Sequence, residues 1–218
     1  GLIRDTNKFD KLTKKFLPLH TRNRIKHFFG VPFAFPRPDH NLKKDLMAPY
    51  VAQFQSDIRK AKEKADFVLF YPHVGGQFNP KPGKFSQLVV QKGLEAGADA
   101  VIASHAHVVQ RALYKGDTLC VYSLGNFNMD PTSSLMVHEV LPDYGLLVHL
   151  YVEDKKIVKT TFSILKGVQK KGQQLVSWPV DKLYASLTSE KEKADLERYV
   201  NLFGYNPKFG IDGKPIGS

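Results

Sequence analysis

Two apolar segments, DFVLFY at 66–71 and ADAVIAS at 98–104, enclose an amphipathic stretch that follows Pro82-Gly83, and no other feature constrains the fold of this chain as tightly. Continuous runs of Val, Ile, Leu, Phe and Ala suit strands buried on both faces, and their strand, helix, strand order predicts a parallel pair joined by a right-handed crossover. On the intervening helix, Phe85, Leu88, Val89 and Leu94 form the inner face, with Gly97 near its end. In open α/β sheets, binding residues gather just past the carboxyl ends of such strands. His73 follows the first strand, and His105 and His107 follow the second, so the two loops should meet in space.

The flanking segments extend this pattern into an α/β (α+β) fold. A helix is predicted from about residue 41 to Lys64, capped by Asp39 or Asn41, with Leu42, Leu46, Tyr50, Phe54, Ile58 and Ala61 along one side. TLCVYSL (118–124), YGLLVHLYV (144–152) and KIVKTTFSIL (156–165) read as strands, the last two forming a hairpin through Glu153-Asp154-Lys155. A helix over Ser189–Phe203, stopped by Gly204, precedes a tail, FGIDGKPIGS, expected to be flexible. The expected organisation is a basic irregular segment over 1–40, which includes the Pro-rich VPFAFPRPDH, a main domain over 41–165 and a helical extension over 166–218.

Charge enters the argument through its distribution. Of the net +11, residues 1–44 contribute an excess of +8, with eleven Lys and Arg against Asp5, Asp10 and Asp39. A basic face of this kind suits a polyanion, which could be nucleic acid, an anionic lipid surface or an acidic polymer, or equally a solvated surface that keeps the protein soluble; a phosphate-containing substrate is the other expected partner. No RNA-binding or zinc-finger signature accompanies it, so nucleic acid is not the expected partner. No apolar run reaches the length of a membrane span, and the single Cys120, within LCVYS, reads as a small buried hydrophobe.

An H-x-H pair beside a strand end, with a third histidine in the neighbouring loop, is the pattern of a metal centre or of a solvated loop. In an extended backbone residues i and i+2 face one way, so His105 and His107 would aim two imidazoles at one volume. Imidazole suits borderline divalent ions and must be unprotonated to ligate them. Gly75 and Gly76, beside His73, would let other groups approach closely. The remaining histidines, His20, His27, His40, His138 and His149, show no partner pattern.

YPHVGGQF, GLEAGADAVIASHAHVVQ and VYSLGNF, in this order and at these intervals, resemble the later motifs of the CapA-type capsule (poly-γ-glutamate) synthesis proteins, a family related to the calcineurin-like metallophosphoesterases. The resemblance covers residues 66–128 and extends to about 165. It implies a β-sandwich flanked by helices, of which this chain would hold the C-terminal part, and a hydrolase centre with two divalent ions, Mn, Fe or Zn. By motif position, His73 matches the lone histidine of the family and His105 and His107 its pair; these are the candidate catalytic and metal-binding residues. In the related phosphoesterases the lone histidine and the first of the pair hold one ion, the second of the pair the other. Gly75, Gly76, Gln77, Gln110 and Asn126 are the candidate pocket or supporting residues, Asn126 first as a turn former bonding nearby backbone. A cell-envelope or extracytoplasmic location follows from the same likeness.

Several family features are missing. The family's first-half motifs, a Gly-Asp after the opening strand, an Asn-x-Glu and an Asn-Asn-His, do not occur, and the usual Trp-Gly-Gly-Glu is Val74-Gly75-Gly76-Gln77. Ala103-Ser104 stands where Gly-His is common, and Ala106 where Pro is common. Glu95, Asp99 and Asp130 are the nearby carboxylates, and Asp99 reads as a strand-start residue. Three neutral imidazoles without a bridging carboxylate would hold one ion, not two. The expected complement is the earlier part of the domain, in the same or another chain. Against the hydrolase stands a non-catalytic capsule-assembly or polyanion-binding factor that keeps the fold.

Overall fold

The structure is a computed structural model that describes residues 15–29, 39, 44–131, 133, 136–169, 172–203 and 210–211. In chain order its elements are α1 (Leu19–Phe28), α2 (Lys44–Lys62), β1 (Leu69–Phe70), α3 (Lys84–Glu95), β2 (Ala100–Ile102), β3 (Ala112–Lys115) and β4 (Thr118–Val121). A 3-10 turn at His138–Val140 leads to β5 (Tyr144–Glu153), β6 (Lys156–Val168), β7 (Val176–Pro179), α4 (Val180–Ser186), α5 (Glu190–Phe203) and β8 (Gly210–Ile211).

The expected parallel pair is present. β1 pairs with β2 in parallel, Leu69 opposite Ala100, and β2 with β4, Ala100 opposite Leu119. β3 runs antiparallel to β4, giving the order β1-β2-β4-β3. The second sheet is antiparallel in the order β5-β6-β7, with β8 parallel to β6.

Side-chain alternation explains the layering. Ala100, Ile102, Leu119 and Val121 face Tyr144, Leu146, Phe162 and Ile164 of the second sheet in one buried cluster, joined by Val180, Leu183 and Leu196 of α4 and α5. The intervening residues Val101, Cys120 and Tyr122 point the other way, onto Ile58 of α2 and Val90 of α3. This two-sided burial, worth about 1.5–3 kcal/mol per large apolar side chain, is why the first-sheet strands are apolar throughout. The result is a helix layer on a sandwich of two sheets, as the motifs implied. Two glycines weld the sheets: Gly125 and Gly145 form an isolated antiparallel bridge. A Cβ on Gly125 would lie 2.7 Å from the Tyr144 carbonyl oxygen, and one on Gly145 would collide with that of Asn126.

Several expectations need correction. Residues 1–40 are not irregular throughout, because Leu19–Phe28 is helical. Among the described residues the Asp39 carboxylate accepts from the Ser86 amide (2.9 Å) and hydroxyl (3.1 Å) in the first turn of α3. Asn41 lies outside the described residues. Tyr50 is 71% exposed rather than on the inner side of α2, whose packed positions include Phe54, Ile58 and Ala61. The tail expected to be flexible contributes β8. β3, β7 and α4 were not foreseen: ALYK and VSWP are too short to show a period, and α4 is a seven-residue helix. Asp99 does begin its strand, receiving the Val68 amide at 2.7 Å and Lys62 Nζ at 2.8 Å. Cys120 is fully buried.

A candidate histidine centre

The loops after β1 and β2 continue the parallel pairing beyond the strands. His73 bridges Ser104, the Ser104 amide donates to the Pro72 carbonyl (3.1 Å), and the Val74 amide donates to the Ser104 carbonyl (2.8 Å). Further on, the Phe78 amide reaches the Ala106 carbonyl at 2.7 Å. These rungs bring the rings together: His73 and His105 have centroids 4.6 Å apart, with His73 Nε2 and His105 Nδ1 hydrogen-bonded at 2.8 Å. The His105 and His107 centroids are 6.1 Å apart.

The backbone achieves this differently from the extended pair expected. His105 has φ 118° and His107 φ 56°, both in the region that disfavours side-chain-bearing residues. The two rings are neighbours because the loop coils, not because a pleat repeats. Gly75 likewise serves through its φ of 137°; the nearest atoms a Cβ there would meet are Ser86 Oγ at 3.5 Å, Ala106 Cβ at 3.9 Å and the Ala106 amide nitrogen at 4.0 Å, ordinary contacts. Close approach is therefore not its role.

Asn126 fixes the third ring. Its Nδ2 donates to the carbonyls of His107 (2.9 Å) and Pro142 (2.7 Å), which sets the orientation of the amide and leaves Oδ1 to face His107 Nδ1 at 2.8 Å. An amide oxygen only accepts, so a neutral His107 carries its proton on Nδ1 and its lone pair on Nε2. From the sequence Asn126 is expected first as a turn former bonding nearby backbone; the carbonyls it bonds instead lie 19 and 16 residues away, and its Oδ1 meets the His107 ring. Gln110, 3% exposed, donates from Nε2 to the Asn79 carbonyl at 2.7 Å and ties the His73 loop to the strand after His107. The Gln77 carbonyl accepts from Asn79 Nδ2 at 3.5 Å, and Gly76 is buried.

Sequence reasoning missed Phe78, whose ring lies 5.8 Å from that of His107, and Asp39, which reaches under the Gly75 turn through Ser86. Nothing marks Asp39 in advance, since 47 residues separate it from Ser86. Glu95 pairs with Lys92 on α3, the salt bridge that lowers its pKa, away from the rings. His138 bonds the Ser133 carbonyl and His149 the Ser163 hydroxyl.

As placed, the rings are not a metal site: among the described residues no group of three or more His, Cys, Asp or Glu is arranged to hold an ion. The donors nonetheless suit one. Metal–nitrogen bonds of about 2.1 Å in a tetrahedral site separate two ligand nitrogens by about 3.4 Å, so the 2.8 Å between His73 and His105 would have to open slightly. Rotating those rings and moving the shared proton to the donor ring's other nitrogen would free both lone pairs, and with His107 Nε2 unprotonated in its neutral tautomer the three would make a neutral three-nitrogen set for one borderline divalent ion. Nothing in that set offsets the charge of a second.

Residues 22–131 match the family described as bacterial capsule synthesis protein PGA_cap. The chain is similar to the PGA biosynthesis protein CapA of Bacillus subtilis (strain 168), 33% identical over 73 residues that make up 34% of this chain and 19% of that protein. It is similar also to the capsule biosynthesis protein CapA of Bacillus anthracis, 31% identical over 93 residues, 41% of this chain and 23% of that protein. The matches thus span less than a quarter of each of these curated relatives.

Proposed function

This chain belongs to the bacterial capsule synthesis protein family PGA_cap, and from that premise we propose that it acts in capsule biosynthesis, as a metal-dependent hydrolase centre working on an anionic envelope polymer or a phosphate-bearing precursor. The observation that carries the reading is that the family-matched stretch contains all three imidazoles and Asn126, which form two hydrogen-bonded pairs, His73 with His105 and His107 with Asn126, with the His105 and His107 ring centroids 6.1 Å apart. His107, held by Asn126, offers Nε2 as an acceptor or ligand in one orientation. His73 Nε2 and His105 Nδ1 share one hydrogen bond, so one nitrogen donates and the other accepts. A divalent ion bound there would polarise a phosphoryl oxygen as a Lewis acid.

A second reading is favoured by a specific observation. Among the described residues no three His, Cys, Asp or Glu side chains are already gathered around one point, and Gln77 stands where the family's carboxylate is usual. A protein with this fold could serve as an assembly factor that binds the polyanion without cleaving it.

One experiment separates them. Metal content and hydrolysis of bis-p-nitrophenyl phosphate are measured on the whole protein and on His107→Ala. The hydrolase reading expects a bound divalent ion and metal-dependent turnover, both lost in the variant. A metal-free, inactive protein that still retains anionic polymer on a column would sink it and leave the assembly role.

A further inference from the structure

A cavity of about 950 Å³ opens where the amino-terminal ends of β1, β2 and β4 meet the β5–β6 hairpin, the end of the sheet opposite the histidines. Its volume lies at the upper end of the ~300–1,000 Å³ range of small-molecule sites. Phe67, Tyr114 and Ile157, each half-buried against the inter-sheet cluster, form its apolar wall. Here the sandwich interior reaches the surface.

The rim is basic. Lys155, Lys156 and Lys159 line it, opposed by Asp99 and Asp117. Asp99 is already compensated, since Lys62 Nζ contacts both of its oxygens, at 2.9 and 2.8 Å. Lys155 bridges the mouth to Asp66 at 2.6 Å, but the two side chains are 68% and 70% exposed, so the pair is weak and readily exchanged for another anion. The wall's own polar groups are satisfied internally, Tyr114 donating to Thr160 Oγ1 at 2.9 Å. The hairpin tip also carries Asp154 at φ 45° and Lys155 at φ 66°, a left-handed pair where Asn-Gly is the relaxed choice. A strained turn that keeps a lysine at a cavity mouth is the kind of local cost found at ligand sites.

We propose that this groove binds an amphipathic anion, its phosphate or carboxylate head held by Lys155 and Lys156 and its apolar chain lying on Phe67 and Ile157. Charge complementarity selects the head and the exposed core edge selects the chain. The site is independent of the histidine centre.

The test is calorimetric titration of the whole protein with dodecyl phosphate below its micellar concentration, with dodecyl maltoside as the neutral counterpart and inorganic phosphate as the bare head. Saturable binding of dodecyl phosphate is expected, with inorganic phosphate far weaker and the maltoside silent. The Lys155→Ala/Lys156→Ala variant, confirmed folded by circular dichroism, should bind about tenfold more weakly. Vesicles of phosphatidylcholine with or without phosphatidic acid identify the source. Charge-dependent binding to them, lost in the double variant, assigns a membrane lipid, whereas binding of the soluble amphiphile alone assigns a free one. Absence of saturation, equal binding of the maltoside, or an unchanged double variant would overturn the proposal.

Discussion

Asn126→Ala tests the clamp on which the geometry of the centre depends. The substitution removes three hydrogen bonds at once, to His107 Nδ1, to the His107 carbonyl and to the Pro142 carbonyl. A typical intramolecular bond contributes about 1 kcal/mol net, and a buried polar group left unpaired costs about 1–3 kcal/mol. Pro142 is fully buried, so its carbonyl bears the larger figure. Asn126 and His107 are only partly buried, and water can replace part of what they lose. The expected loss is therefore about 2–4 kcal/mol, read by urea denaturation. The second readout is the His107 ring in long-range 15N spectra. The wild-type neutral ring should be protonated at Nδ1 alone, and the variant should show a mixture of tautomers. Asn126→Asp sharpens the test, because a carboxylate keeps the acceptor for Nδ1 while facing two carbonyls to which it cannot donate. It should lose stability and yet retain the Nδ1–H form. A loss below about 0.5 kcal/mol in Asn126→Ala, together with an unchanged tautomer, would refute the clamp.

Gly145→Ala should destabilise the protein by more than about 2 kcal/mol, because its Cβ would overlap the Asn126 carbonyl, and thermal unfolding checks this. Gly116→Ala is the contrast. Its Cβ would meet nothing within 4 Å, so only the φ of 58° opposes it and the loss should be about 1 kcal/mol. Burial pushes the Cys120 thiol above its ordinary pKa, so the native protein should resist alkylation at pH 8 and expose its single thiol only on unfolding, as counted with a chromogenic disulfide. Asp99→Ala should weaken the start of β2 by about 1–3 kcal/mol, since the Val68 amide and Lys62 both lose their acceptor.

The parallel unit and its loop histidines were legible in the sequence because two apolar runs of strand length flank a helix period, and that pattern admits few folds. The inter-sheet core was legible for the same reason: alternation in YGLLVHLYV marks which residues of β5 turn inward. What escaped detection depends on contacts distant in sequence. Asp39 reads as the cap of the helix that follows it; its carboxylate reaches the next one, because Gly83 leaves room that a Cβ would fill. Tyr50 fits the apolar period of α2 but projects into solvent. The proximity of His105 and His107 was read correctly from the wrong geometry: a period-two rule stood in for a coiled loop whose dihedral angles no local propensity favours.

Those dihedral angles have a further consequence. Non-glycine residues in sparsely populated φ regions cost about 1–3 kcal/mol each, and Phe78, His105 and His107 all lie at positive φ within one pair of loops. Such a loop persists only where its surroundings over-determine it. Here they do: rungs at Val74–Ser104 and Phe78–Ala106 cross between the loops, Gln110 spans to Asn79, and Asn126 holds both the ring and the carbonyl of His107. The packing of Ala106 and Val108 beside Phe78 leaves the backbone little room to relax. A loop needed only to connect β2 with β3 would meet no such demand, and a relaxed turn of Gly and Asn would suffice. Two of these three residues are the candidate ligands His105 and His107, so the strain fixes the backbone that presents their imidazoles while the rings keep their rotation.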